Sequence, residues 1–337
     1  MLPPRYAAWI SDLVGGTLPE EQAATCSRCA MQADAVPEGY RFRADAKCCT
    51  YVPALPNFLV GGALRDLADG PARASLERRI ADASVCTPHG LDVSEDERRR
   101  YQEVVAAESF GRAEGLRCPH YLADAGGLCG IWRHRNGVCA TWFCKHDRGV
   151  AGQRFWQALE ALLTLVEREL SHWCACQLLY RTAAPGLPTA EDDLPEWAAW
   201  APHAGDYYRR AAELVDELDW PEVQAITGPE LVPAAAAVLA AYGALQPAAP
   251  RLVQIRRPPA VLVAGALRVS HRDPAITRLV TYSDSDALEL PTELVDLLPR
   301  FDGRPTELVL AELAGEGVLL TADLVERLVD FAVLRPP

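Results

Sequence analysis

The chain has 337 residues, half of them apolar and under a quarter charged, which suits a soluble globular protein with a real core and room for two domains. A net charge of −13 argues against a general electrostatic grip on nucleic acid or on an anionic membrane, because both demand a basic face, though it leaves room for local basic patches. There is no run of about eighteen apolar residues to span a membrane, and the opening MLPPRYAAWISDLVGG has one basic residue and no continuous apolar core, so it does not read as a secretory signal.

In chain order, the first stretch with continuous apolar character is Asn57–Leu64, where Gly61-Gly62 suggests a strand-to-turn piece or a cavity wall. Ser94 followed by Glu97 is a capping box and predicts a helix over 95–107. Phe155, Leu159, Leu162, Leu163, Val166, Leu170 and Trp173 keep a 3.6-residue period and predict a long helix over 152–180. Four prolines and an acidic cluster make 183–205 a linker. Helices are expected at 206–218 and 230–242, then a break at 246–250. From Arg251, strands are expected at Val261–Ala264, Ala266–Ser270 and Arg278–Tyr282. Helices follow at 291–300, 305–315 and 321–331, the last with Thr321 as N-cap, and Ala332–Leu334 closes as a strand. Asp302–Pro305 reads as the turn between the first two of these helices. The fold class expected is α+β, mostly α. An irregular metal-stapled domain covers 1–182, a linker and helical connection 183–250, and a winged-helix-like domain 251–337.

The chemistry rests on cysteine. With no secretory signal, the expected compartment is the cytoplasm, where thiols stay reduced, and eleven cysteines then argue for metal binding over disulfides. Eight fall into two blocks: Cys26, Cys29, Cys48 and Cys49, then Cys118, Cys129, Cys139 and Cys144. Four thiolates suit tetrahedral zinc or an iron–sulfur cube. Cys26-x-x-Cys29 is a chelating turn. Neighbours in extended chain point to opposite faces, so Cys48 and Cys49 fit two irons or two centres better than one zinc ion. Either centre carries a charge near −2 that burial penalises unless cations offset it. Arg133, Arg135, Lys145 and Arg148 in the second block are the expected cations, with His120, His134 and His146 near them; Asp45 and Lys47 are weaker candidates for tuning the site. Cys86 stands alone and reads as a buried thiol. Cys174 and Cys176 lie on different faces of the long helix, which excludes joint chelation, and Cys174 reads as core. His120 and His172 are candidate replacement ligands. No P-loop, GxSxG, HExxH, convincing GxGxxG or radical CxxxCxxC motif occurs, and Gly126-Gly127 is too short for a phosphate cradle.

The CxxC turn, the CC pair and the later Cys129-Gly-Ile-Trp-Arg-His-Arg-Asn-Gly-Val-Cys139-Ala-Thr-Trp-Phe-Cys144 resemble the YkgJ-like family of cysteine-cluster proteins over residues 24–150. The family's compact CxxCxxCC opening is split here by eighteen residues between Cys29 and Cys48. The resemblance implies zinc or iron chelation, and the family includes a flagellin lysine N-methylase. The C-terminal strand and helix pattern is similar to PqqD-like domains, which implies a peptide added as a strand beside the wing. Ten basic and thirteen acidic residues between Arg251 and Pro337 argue against DNA as its partner. Arg256, Arg257, Arg268 and Arg272 on the strand side suit an acidic peptide.

Two functional readings follow. The first is an iron–sulfur protein, with a 4Fe–4S cluster on the eight cysteines, acting in redox chemistry or modifying a peptide or protein substrate docked by the C-terminal domain. The second is a zinc-stabilised, non-catalytic interaction or regulatory module. Neither involves nucleic acid or a membrane.

Overall fold

The computed structural model describes residues 2–34, 36–179, 195–245 and 258–337. It is mostly helical with small antiparallel sheets, in keeping with the α+β class. Two compact units form: Met1–Glu20 with Thr25–Trp142 and Gln157–Leu239, and Glu21–Ala24 with Phe143–Trp156 and Ala240–Pro337. The expected prolines at 183–194, the break at 246–250, Arg256 and Arg257 lie outside the described residues.

The first unit opens with α1 (Pro4–Val14), which has proline at its first turn and buries Tyr6, Trp9 and Ile10. β1 (Leu55–Pro56) leads into α2 (Asn57–Asp66), so Asn57–Leu64 is a helix and not a strand. All eight of those residues are buried, which leaves no polar stripe to reveal a period. α3 (Pro71–Ile80) follows, then β2 (Cys86–Thr87) and β3 (Gly90–Leu91), which lies between β1 and β2 in a three-stranded sheet. α4 (Glu95–Ala106) starts at the expected capping box, with Glu97 N donating to Ser94 Oγ at 3.2 Å and Ser94 N donating to the Glu97 carboxylate at 3.0 Å. β4 (Tyr121–Leu122) and β5 (Leu128–Cys129) form a hairpin ahead of the short α5 (Gly137–Thr141).

The long helix α6 runs Gly149–Leu179, and from Gln157 onward it belongs to this unit. It buries Leu159, Leu162, Leu163, Val166 and Leu170 of the face its period predicts, with Cys174 beside them, while Trp173 at the end of that period is half-buried. α7 (Pro195–Trp200), α8 (Ala204–Asp216), α9 (Trp220–Thr227) and α10 (Leu231–Leu245), the last belonging to this unit as far as Leu239, complete the helices. Residues expected to be a connection therefore build core: Tyr207 and Tyr208 of α8 pack with Val60, Leu64, Leu76 and Leu91. Gly61 makes this packing possible, because a Cβ there would lie 1.8 Å from the Tyr208 carbonyl oxygen.

In the second unit β6 (Val261–Ala264) is followed by β7 (Arg268–Arg272), β8 (Ile276–Val280) and β9 (Leu288–Pro291), which form an antiparallel meander. α11 (Thr292–Leu297), β10 (Asp302–Pro305), α12 (Thr306–Gly315), α13 (Ala322–Asp330) and β11 (Leu334–Arg335) follow. β10 and β11 flank β6, so Asp302–Pro305 is a strand where a turn was expected. Leu262, Leu279, Leu298, Phe301, Val309, Leu313, Val325, Leu328 and Val333 form its core. Thr321 caps α13 as expected, accepting from Leu324 N at 3.2 Å. Among the described residues no helix is long and apolar enough to cross a membrane.

Candidate functional site

Six of the eight expected ligands sit in one neighbourhood of the first unit. Cys26 and Cys48 hydrogen-bond to each other through their thiols, and that bond, followed by burial, pushes the Cys26 thiol well up. Cys129 feels the charge of Cys26, Cys118 feels Cys129 and Cys48, and Cys139 feels Cys118, Cys129 and Cys48. Burial is the main cause of the rise at each of these three, taking Cys118 up to about 12. Cys29 joins through Cys26. The Cys49 carbonyl accepts from Cys118 N at 2.8 Å, which ties the two cysteine blocks together through the backbone. The pair does not lie in extended chain: Cys48 ends a turn in which Lys47 N donates to Arg43 O at 2.8 Å and Cys49 N to Ala46 O at 2.9 Å. Cys144 belongs to the second unit.

Three buried cations bracket these sulfurs. Arg135, 8% exposed, lies 3.5 Å over the Trp132 ring and donates to the carbonyls of Trp132 at 3.1 Å and Cys139 at 3.0 Å. After desolvation, the groups that act on it most are Cys129, Cys139, Cys26 and Cys48. Lys47 Nζ is held by three carbonyl oxygens, Cys26 and Gly127 at 2.9 Å and Gly126 at 3.1 Å. Consecutive left-handed glycines, Gly126 and Gly127, make those acceptors available at the β4–β5 turn. A Cβ on Gly127 would meet the Tyr121 hydroxyl at 2.3 Å. Arg79, whose charge reaches Cys118, donates to Pro53 O at 3.0 Å and Asp92 O at 2.6 Å.

Of the four cations expected from the sequence, only Arg135 is among these. Lys145 and Arg148 pair with Asp286 at 3.5 Å and Asp330 at 2.8 Å within the second unit, and Arg133 is exposed. Lys47 is far more central than its lone position before Cys48 suggests. Arg79 went unread because its side chain enters from α3, some forty residues from the nearest ligand in the second block.

The local scaffold holds Cys139 in place. Asn136 caps α5, its side chain accepting from Cys139 N at 3.0 Å and donating to Ala54 O at 3.1 Å. Gly137 N, in the first turn, donates to Glu167 Oε1 at 2.6 Å, and the Tyr6 hydroxyl donates to the same carboxyl. Full burial pushes Glu167 up to about 7.

His120 is not a ligand in this arrangement. Its Nδ1 faces Ser75 Oγ at 2.9 Å and its Nε2 faces Arg79 Nη1 at 3.3 Å, which fixes the neutral tautomer with Nδ1 as donor. Burial, then the charge of Arg79, takes its pKa down to about 3. His134 bonds Asp66 at 3.1 Å, and His146 packs against Tyr282 in the second unit. Cys86 is a buried thiol as expected, 3.2 Å from the Tyr208 hydroxyl, and Cys174 is core.

All eleven cysteines are free thiols. Among the described residues no group of three or more Cys, His, Asp or Glu side chains stands close enough to hold a metal ion. The donor chemistry nevertheless fits a thiolate-bound metal. Thiols held protonated by burial give no negative charge to Lys47, Arg79 or Arg135, whereas thiolates on a metal give an anionic core. Comparison with family models, with curated proteins and with solved structures finds no match to this chain.

Proposed function

We propose that the first unit carries an iron–sulfur centre, of the 4Fe–4S type, whose ligands come from Cys26, Cys29, Cys48, Cys118, Cys129 and Cys139, with Cys49 as a further donor. The observation that carries this reading is the bracket of buried cations, Lys47, Arg79 and Arg135, around thiols that are neutral when protonated. A core with four thiolates has a charge near −2, which such cations stabilise and whose reduction potential they hold up. The resemblance of residues 24–150 to YkgJ-like proteins points the same way.

For the second unit we propose a winged-helix-like module that docks a peptide or protein substrate. Support comes from β7, which is exposed along its whole length and, among the described residues, pairs in its sheet with β8 alone, which suits strand addition. The activity is then redox chemistry or modification of the docked chain. The test is ligand substitution. Cys48→Ser and Cys139→Ser should each lose metal and solubility, since metal-binding energy is folding energy here. Cys86→Ser should lose neither, because a serine hydroxyl keeps the bond to Tyr208. Unchanged metal stoichiometry in both ligand variants would sink the proposal.

A further inference from the structure

Two of the thiols already meet. Cys26 and Cys48 stand twenty-two residues apart in the chain, and their side chains share a sulfur-to-sulfur hydrogen bond. The backbone sets this contact too. Lys47, next to Cys48, turns in the left-handed region at φ 52°, and its Nζ donates to the Cys26 carbonyl at 2.9 Å. Neither cysteine lies in a helix or strand, so closing the pair to the about 2.05 Å of a disulfide needs only a small shift of two turns.

The surroundings suit exchange chemistry. Reactive cysteines sit in electropositive, partly exposed places, while structural ones are buried. Cys26 and Cys48 are both half-buried, whereas Cys86, Cys118 and Cys174 are buried. Lys47 and Arg135 act on Cys26, and Arg135 is within reach of the charge of Cys48. The bond that keeps the proton on Cys26 points it at Cys48, which makes Cys48 the first sulfur to attack. Among the described residues no three Cys, His, Asp or Glu side chains are placed for a metal, and a disulfide needs only two thiols.

We propose that Cys26 and Cys48 form a reversible disulfide by exchange with a small-molecule disulfide, a redox switch in the first unit. Cys48 attacks one sulfur of the incoming disulfide and expels the first small thiol. Cys26 then attacks Cys48 Sγ in the mixed disulfide and expels the second. One S–S bond breaks and one forms. The protein thiols give up two electrons to the small disulfide, and their two protons leave on the released thiols. Excess thiol runs the exchange backwards. The bond also withdraws two sulfurs from the ligand set, so the oxidised chain does not load metal there; that consequence alone rests on the iron–sulfur reading.

The test exposes the full-length chain, as purified and after chelator treatment, to oxidised glutathione. Remaining thiols are then blocked at low pH, and disulfides are mapped by peptide mass spectrometry without reduction. Cys26–Cys48 should be the main cross-link, with loss of two thiols per chain, and dithiothreitol should restore both. The preference should vanish in urea, because it comes from the fold. Cys26→Ser and Cys48→Ser should each abolish the cross-link, and Cys26→Ser should retain glutathione on Cys48; the wild-type map decides by itself if these variants precipitate. Cys86→Ser should cross-link as wild type does, since Cys86 is buried against Tyr208. Iron, zinc and sulfide are assayed on the same preparations, so failure of the metal reading shows separately. No cross-link in either sample, or Cys26–Cys29 in place of Cys26–Cys48, overturns the proposal.

Discussion

Glu167 offers a test of the scaffold behind Cys139. Its carboxyl is fully buried and accepts from Tyr6 and Gly137 through one oxygen, Oε1. Burial lifts its pKa from an ordinary 4.5 to about 7. A raised carboxyl stabilises the fold below the unfolded value, and that contribution is lost as pH rises through the folded value. Glu167→Gln keeps an oxygen for both donors and replaces the acid hydroxyl with an amide that cannot ionise. At 1.36 kcal/mol per unit, the stability of wild type relative to Glu167→Gln should fall by about 2.5 kcal/mol between about pH 5 and pH 8. Urea denaturation of both proteins at four or five pH values across that window measures the difference directly. A gap that stays constant with pH would show that Glu167 is ionised in the native state, and the account of its burial would be wrong.

Other substitutions probe the rest of the site. Gly127→Ala, at φ 68° and with its Cβ 2.3 Å from the Tyr121 hydroxyl, should cost about 1–3 kcal/mol and release Lys47, seen as a lower melting temperature and lower metal content. Lys47→Met should reduce metal retention more than Lys145→Met, because Lys47 is held against Cys26 while Lys145 serves Asp286; equal loss in the two would refute that ranking. The full chain should not shift duplex DNA at about physiological salt, since its C-terminal residues 251–337 carry a net acidic charge. A shift with a clear salt slope would overturn the charge argument.

The parts of this fold that were legible in the sequence are those where one local signal decides. The Ser94–Glu97 box set the start of α4, the period of Phe155 to Leu170 set α6, and Thr321 set α13. The parts that were not legible depend on partners far away in the chain. α2 is apolar on all sides and its glycines answer to Tyr208 and His134, so no period marks it as a helix. β10 carries Asp, Gly, Arg and Pro, a turn composition, and becomes a strand through pairing with β6. At the site, the grouping of the sulfurs was readable from spacing, whereas the turn that carries Cys48, closed by Lys47 N to Arg43 O and Cys49 N to Ala46 O, was not. The cations were readable only in part. Charge near the cysteines in sequence pointed to Lys145 and Arg148, while Lys47 depends on carbonyls from Cys26, Gly126 and Gly127, and Arg79 on a helix that sequence reading left blank.

The most direct test of the thiol centre is metal and sulfide analysis of the full-length protein purified without oxygen. The account predicts a brown protein with iron and acid-labile sulfide in about equal amounts, near four of each per chain, and broad visible absorption that bleaches with dithionite. A colourless protein with stoichiometric zinc and neither iron nor sulfide would contradict it and leave a zinc-stabilised interaction module in its place.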